Sequence, residues 1–211
     1  MASPSAGHHP VWMSRPRSRS LSLGAASRLD QPEVEIEQRH VVVIGMMGVG
    51  KTTVGRLLAA RLGWAFWDND TALQEATGAT AARFQQKHGQ AALHENEDRL
   101  LRDALRSPAQ TVFAAAASVV LNPGILAGAV TVWLRASASF EERNITHSGQ
   151  HHRPLPADAL HALERLSAAR EQLYADAADV TVDAAADPEA TCERMLEALR
   201  AADGIGEVGG S

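Results

Sequence analysis

The chain has 211 residues, enough for one α/β domain with a sizeable core and short for two. A net charge of −5 argues against a nucleic-acid partner, and no apolar run approaches the ~20 residues of a membrane span, so neither nucleic acid nor membrane is an expected partner. Cys192 is the single cysteine, which excludes an internal disulfide and suits a reducing, cytoplasmic location.

The first 38 residues form a segment that is rich in serine, proline and arginine and has no acidic residue before Asp30. No apolar periodicity runs through it, which predicts a disordered tail over residues 1–38. Its composition matches an organelle transit peptide. It also fits a bacterial protein with a loose or over-extended N-terminus, for which Met13 is a candidate later start; the Ala-rich core favours this second interpretation.

A phosphate-binding loop follows the first predicted strand, Val41 to Ile44. The strand runs directly into a Gly-x-x-x-x-Gly-Lys-Thr motif, and a helical pattern follows it. Such loops point successive N–H groups at an anion, at the positive end of the helix dipole. Lys51 is expected to reach the outer phosphates and the Thr52 hydroxyl to bind Mg²⁺. The residues expected to hold a nucleoside triphosphate are Gly45, Gly48, Val49, Gly50, Lys51, Thr52 and Thr53.

Strands and helices alternate from residue 39 to residue 202, which predicts βα units and one parallel sheet. We expect further strands at residues 65–67, 111–115, 129–134 and 179–182, and a last helix from 188 to 201. A polar, His-rich stretch at about 137–156 is typical of a mobile lid. Residues 203–211 are expected to be a flexible C-terminus.

A second acidic cluster, Asp68-Asn69-Asp70, follows the second predicted strand at the sheet edge where ligands bind in open α/β folds. Alternation along an extended segment would send Asp68 and Asp70 to the same side. One carboxylate could then support Mg²⁺, while the other orients or deprotonates a hydroxyl. The alternative is that Asp70 only caps a helix starting at Thr71.

In order and spacing, these motifs resemble the shikimate kinase family. The loop from Gly45 to Arg56, the Asp-x-Asp at 68–70, the Arg-Pro-Leu at 153–155 and the Arg-x-x-Leu-Tyr at 170–174 carry the resemblance. It implies a P-loop NTPase fold: α/β, with a five-stranded parallel sheet flanked by helices. A lid and a small substrate-binding subdomain are implied as well.

The resemblance also implies roles for individual residues. Lys51 would bind the β- and γ-phosphates of ATP, and Thr52 and Asp68 would position Mg²⁺. Asp70 would contact the hydroxyls of the acceptor and act as base, and Arg170 would pair with its carboxylate. Two more arginines are implied: Arg153 in the lid, stabilising the transferring phosphoryl group, and Arg143 near adenine.

Two departures from the family pattern fall on the acceptor site. His94 stands where the family has an arginine for the carboxylate, and Ala116, Ala117 and Ser118 replace a Gly-Gly-Gly turn. Losing one charge-assisted hydrogen bond removes ~1.5–3 kcal/mol, roughly ten- to hundredfold in affinity. A positive φ at any of the three turn positions would add roughly 1–2 kcal/mol of strain.

We therefore expect an ATP-dependent phosphotransferase acting on shikimate or a related small acid with hydroxyls, and we expect it to be a monomer. One alternative is a degenerate relative that binds nucleotide and serves as a regulatory or scaffolding partner. A second is a P-loop kinase for a sugar acid or a nucleotide. The intact ATP motifs fit all three, whereas the altered acceptor residues favour the degenerate relative.

Overall fold

The computed structural model describes residues 40–148 and 158–202. The predicted tails and Arg153 lie outside these residues. The strands are β1 (Val41–Ile44), β2 (Ala65–Asp68), β3 (Thr111–Ala114), β4 (Val130–Arg135) and β5 (Val180–Asp183). The helices are α1 (Lys51–Leu62), α2 (Asn69–Thr77), α3 (Ala81–Ala104), α4 (Ala138–Ser148), α5 (Ala159–Ala177) and α6 (Pro188–Ala202), with short 3₁₀ turns at Val119–Leu121 and Pro123–Leu126. No helix in this part of the chain is long and apolar enough to cross a membrane.

The five strands form one sheet in the order β2-β3-β1-β4-β5, and each neighbouring pair is parallel. β1 therefore lies at the centre, between β3 and β4, and every residue of β1 and β3 is buried. Strands covered on both faces are apolar throughout and do not alternate between apolar and polar residues. This is why the valine-rich run of β1 predicts a strand. The predicted five-stranded parallel sheet flanked by helices is confirmed.

Helices cover both faces of the sheet. On one face, buried residues of α1 and α6 such as Leu58 and Met195 pack against the strands. On the other face, Leu101 of α3 and Tyr174 of α5 belong to the same buried cluster as Phe113 of β3. This arrangement leaves the carboxyl ends of β1, β2 and β3 side by side at one edge, where ligands bind in open α/β sheets.

A sharp kink divides α3 at Gly89, which has φ 85° and ψ 166°. The segment after the kink buries Leu93, Glu97 and Leu101, spaced four residues apart along one face of the helix. The kink therefore starts a separate helical segment whose inward face carries a carboxylate as well as two leucines.

The predicted lid over residues 137–156 is wrong in its first half. Residues 138–148 form α4, with Glu141 and Ile145 buried at 1% and 6% exposure. The sequence does not predict this helix because one of its buried positions is a glutamate, which breaks the apolar periodicity. The second half of the predicted lid falls mostly in residues 149–157, outside the described residues.

Candidate active site

The loop after β1 is shaped by its glycines. Gly48 has φ 78°, and a Cβ there would lie 2.5 Å from the backbone oxygen of Glu141 in α4. At Gly45, with φ 146°, a Cβ would collide with the backbone oxygen of Leu134. Both positions therefore require glycine, so that the loop can curl back against β4 and α4 and leave its N–H groups available for an anion.

Lys51 begins α1 and folds back over this loop. Its Nζ donates to the carbonyl oxygens of Gly45 and Met46, at 2.9 Å each. Burial lowers the pKa of the Lys51 ammonium, and the carboxylates of Asp70 and Glu141, in that order, act in the opposite direction. The Lys51 Nζ is therefore held within the loop by two neutral carbonyls, which phosphate oxygens could replace as its partners.

Thr52 and Asp68 bring two oxygen ligands together. The Thr52 hydroxyl donates to Asp68 Oδ2 at 2.7 Å. The other oxygen of Asp68 accepts from the backbone N–H of Thr71 at 2.9 Å, and it thereby caps α2. Hydroxyl and carboxylate oxygens suit Mg²⁺, which prefers hard oxygen ligands and shares them with phosphate. The two residues fit a magnesium site.

The geometry predicted for Asp68-Asn69-Asp70 is wrong in one respect. The extended segment stops at Asp68, because its side chain caps α2 and Asn69 is already helical. Asp68, not Asp70, is thus the capping residue. Asn69 is buried, Asp70 is exposed, and all three line the same cavity, so the structure keeps both carboxylates at the site by a turn of helix rather than by strand alternation.

One cavity of about 840 Å³ is lined by the phosphate-binding loop and by all of the predicted acceptor residues. It is lined by the loop from Gly48 to Thr53 and by the Asp68–Asp70 segment. Its lining also includes the predicted acceptor residues His94, Ala116, Ala117, Ser118 and Arg170, together with Glu97. Donor and acceptor residues predicted from separate motifs thus share one space.

Arg143 is exposed on α4 and does not line this cavity. Its neighbour Asn144 does, and the Asn144 side-chain amide donates to the Gly48 carbonyl at 2.8 Å. The assignment of Arg143 to adenine stays a prediction. Asn144 was not predicted, because no sequence pattern indicated that α4 packs on the loop.

The turn after β3 is held from two sides. The Ala117 carbonyl accepts from Arg170 Nη1 at 3.0 Å and from the Tyr174 hydroxyl at 2.8 Å. Ser118 Oγ donates to Glu97 Oε2 at 2.6 Å. Tyr174 is buried, which raises its pKa, and its ring stacks on Trp133. The hydroxyl of Tyr174 is therefore a fixed donor at this site.

The backbone of this turn does not have the strain that a positive φ at Ala116, Ala117 or Ser118 would cause. Among the described residues, only glycines have positive φ. Ala116, Ala117 and Ser118 therefore occupy ordinary backbone regions, and the added Cβ atoms cost nothing in φ. Their effect on the acceptor is limited to the space and polarity of the cavity wall.

Glu141 is a buried carboxylate that sequence reasoning missed. It is 1% exposed, and its Oε2 has no hydrogen-bond partner within the described residues. Burial raises the pKa of its carboxyl to about 7, against the smaller opposing effect of the Lys51 charge. Near neutral pH this group is divided between its protonated and charged forms.

With this geometry in place, comparison with known proteins identifies the family. A protein-family model described as shikimate kinase matches residues 47–200. The chain belongs to the shikimate kinase family. A shikimate kinase of Paramagnetospirillum magneticum is 36% identical over 168 residues, which cover 76% of this chain and 84% of that protein. One from Gloeobacter violaceus is 37% identical over 164 residues, covering 75% of this chain and 91% of that protein.

The solved structures agree with this family assignment. A shikimate kinase from Acinetobacter baumannii in complex with shikimate superposes with a TM-score of 0.70 and 25% identity. The match covers 75% of this chain and 91% of that one. Family membership makes this protein an ATP-dependent kinase, and neither a scaffolding role nor a kinase for sugar acids or nucleotides is supported over that reading.

Proposed function

We propose that this protein transfers the γ-phosphate of ATP to a hydroxyl group of shikimate. The observation that carries this proposal is the single cavity that joins the phosphate loop to Asp70, His94 and Arg170. Phosphoryl transfer needs the two reactants in line and shielded, because catalysis is mostly positioning and electrostatic stabilisation. A shared cavity places the two reactants next to each other.

On the nucleotide side, the N–H groups of the loop cradle the phosphates and Lys51 neutralises the β- and γ-oxygens. Lys51 leaves the carbonyls of Gly45 and Met46 to do so. Thr52 and Asp68 would hold Mg²⁺, and the bound metal would supply neutralisation of the phosphate charge.

On the acceptor side, Asp70 orients the hydroxyl and accepts its proton. The hydroxyl oxygen bonds to the γ-phosphorus while the bond from phosphorus to the ADP oxygen breaks, so the products are the phosphate ester and ADP. Arg170 binds the carboxylate of the acceptor through guanidinium N–H groups that the Ala117 carbonyl leaves unused. Arg153, which lies outside the described residues, is proposed to stabilise the transferring group.

The residues that line the acceptor part of the cavity support weaker binding of the acceptor than an arginine at position 94 would give. A histidine lacks the bidentate fork of N–H donors that an arginine presents to a carboxylate, and it lacks the permanent charge of the guanidinium. The carboxylate of the acceptor would then rely on Arg170 and on the backbone of the turn after β3. We infer that shikimate is phosphorylated with a high KM.

The test is shikimate-dependent release of ADP by the purified full-length chain, with the phosphorylated product identified by mass spectrometry. Lys51→Ala should abolish turnover, whereas Lys87→Ala should leave it unchanged. Lys87 is a matched control because it is the only other lysine and is exposed on α3. ATP binding without turnover at millimolar shikimate would refute the proposed acceptor.

A cytoplasmic location and a monomeric state belong to this proposal as well. The acidic net charge and the single buried cysteine support the location. Sedimentation equilibrium of the full chain would test the monomer, and a mass near twice 22.5 kDa would contradict it.

A further inference from the structure

The hydrogen bond between Ser118 and Glu97 is a feature of this chain that the proposed reaction does not yet use. Both residues are 6% exposed, and both line the cavity. The Ser118 hydroxyl must be the donor, because a carboxylate has no hydrogen to give. At 2.6 Å this is a short, charge-assisted hydrogen bond, stronger than a bond between neutral groups.

This bond ties the turn formed by residues 115–118 to α3. The same turn is tied to α5, because the Ala117 carbonyl accepts hydrogen bonds from both Arg170 and Tyr174 of that helix. The Ala116 carbonyl accepts from the N–H of Val119 and closes the turn itself. The backbone is thereby anchored to α5 by a carbonyl and to α3 by a side chain.

Three backbone N–H groups of the turn take no part in these hydrogen bonds. The N–H groups of Ala116, Ala117 and Ser118 have no acceptor within the described part of the chain. Buried or half-buried backbone N–H groups are rarely unpaired, so three in a row beside a cavity mark a place for an anionic or polar ligand. Arg170 lines the same cavity and adds a positive charge.

Glu97 by itself would oppose an anion there. Its carboxylate lies at the wall of a cavity that is proposed to take an acidic acceptor, and like charges repel strongly where water is excluded. The hydrogen bond from Ser118 occupies the carboxylate oxygen Oε2. It also ties that oxygen to the turn instead of leaving it for the ligand.

We propose that Ser118 and Glu97 form a positioning pair, whose hydrogen bond holds the turn so that its N–H groups bind the carboxylate of the acceptor. This inference rests on the proposed function, because it assigns those donors to the acid that is phosphorylated. Ser118 itself does not touch the reacting atoms. Its substitution therefore acts on acceptor affinity and not on the transfer step.

The experiment measures kcat and both KM values for Ser118→Ala, Ser118→Gly and Ser118→Thr. Losing the hydroxyl in the first two variants should raise the KM for shikimate about tenfold, with kcat and the KM for ATP within about twofold. Ser118→Thr keeps the hydroxyl and should restore the wild-type KM to within about threefold. Glu97→Gln keeps an oxygen that can accept from Ser118 and should resemble Ser118→Thr.

The control is Ser107→Ala, because Ser107 also lies in a turn and accepts from the N–H of Ala109, but does not line the cavity. An unchanged KM for shikimate in Ser118→Ala would overturn the positioning role while leaving the proposed function intact. A lower kcat together with a similar rise in both KM values would also overturn it, since that pattern would indicate general damage to the fold. A wild-type protein that does not phosphorylate shikimate would overturn the proposed function and this assignment together.

Discussion

Glu141 is a residue whose position beside the phosphate loop lowers the stability of the fold. A carboxyl group that is 1% exposed, with its Oε2 unpartnered within the described residues, is costly to ionise, yet this one packs beside the phosphate loop. Its raised pKa follows from that burial.

Glu141→Gln should stabilise the protein, and more so at higher pH. The folded pKa of about 7 exceeds the ordinary value of 4.5, so stability is greatest below pH 4.5 and falls as pH rises to about 7. Above that, the ionised group destabilises the fold by about 3 kcal/mol, and at pH 5 by less than ~1 kcal/mol. Urea unfolding at pH 5 and pH 8 measures the difference, with Glu164→Gln, an exposed position on α5, as control. Equal stabilities of Glu141→Gln and wild type at both pH values would contradict this account.

His94→Arg should lower the KM for shikimate roughly ten- to hundredfold, because it adds a bidentate donor to the cavity wall. His94 already lines that cavity from the segment of α3 after the kink. Steady-state kinetics at fixed, saturating ATP gives the value, and the KM for ATP should not move. A KM for shikimate that stays the same or rises would mean that position 94 does not face the carboxylate.

At the level of elements, the contact between α4 and the phosphate loop fixes how the loop is held. Asn144 donates to Gly48, and the Glu141 backbone lies against Gly48 one helical turn earlier. Because the loop has few side chains of its own, its conformation depends on this neighbour. α4 is thus part of the nucleotide site, although it was expected to be lid.

Asn144→Ala should weaken ADP binding about fivefold, since it removes a neutral hydrogen bond worth ~1 kcal/mol that holds the loop carbonyl. Isothermal titration with Mg-ADP measures the affinity. Thr146→Ala is the matched control, because Thr146 is exposed on the same helix and its hydroxyl donates to the Glu142 carbonyl rather than to the loop. An affinity that matches the control would show that the loop holds its shape unaided.

The elements also show what the sequence could predict. Strands buried on both faces are runs of apolar residues, so β1 was predictable, and Gly-x-x-x-x-Gly-Lys-Thr fixes its own loop chemistry. Helix α4 was not predictable, because the position next to the loop is a glutamate whose burial depends on distant residues. The φ angles of Ala116, Ala117 and Ser118 were not predictable either, since alanine and serine suit many backbone regions.

At the level of the whole molecule, ligand binding and folding are linked. A nucleotide that binds only the folded state stabilises it by ~2.7 kcal/mol at a concentration 100 times its Kd. For a domain of this size the shift in Tm is then about 5–10 °C. Thermal unfolding with and without Mg-ADP should show this shift in the wild type and in Lys87→Ala. Lys51→Ala should show little of it, and a full shift in that variant would remove Lys51 from the phosphate site.

The order of strands has a consequence for how this enzyme can change. β2, β3 and β1 are neighbours, and they end in Asp68, in the acceptor turn and in the phosphate loop. Adjacent strands lie ~4.8 Å apart because backbone hydrogen bonds set that spacing. The separation of donor and acceptor is therefore inherited from the backbone, independently of which side chains line the wall. Substitutions at residues such as His94 or Ser118 can therefore change which acid is bound as acceptor during evolution, while the spacing of the phosphoryl-transfer residues, set by the sheet, stays the same.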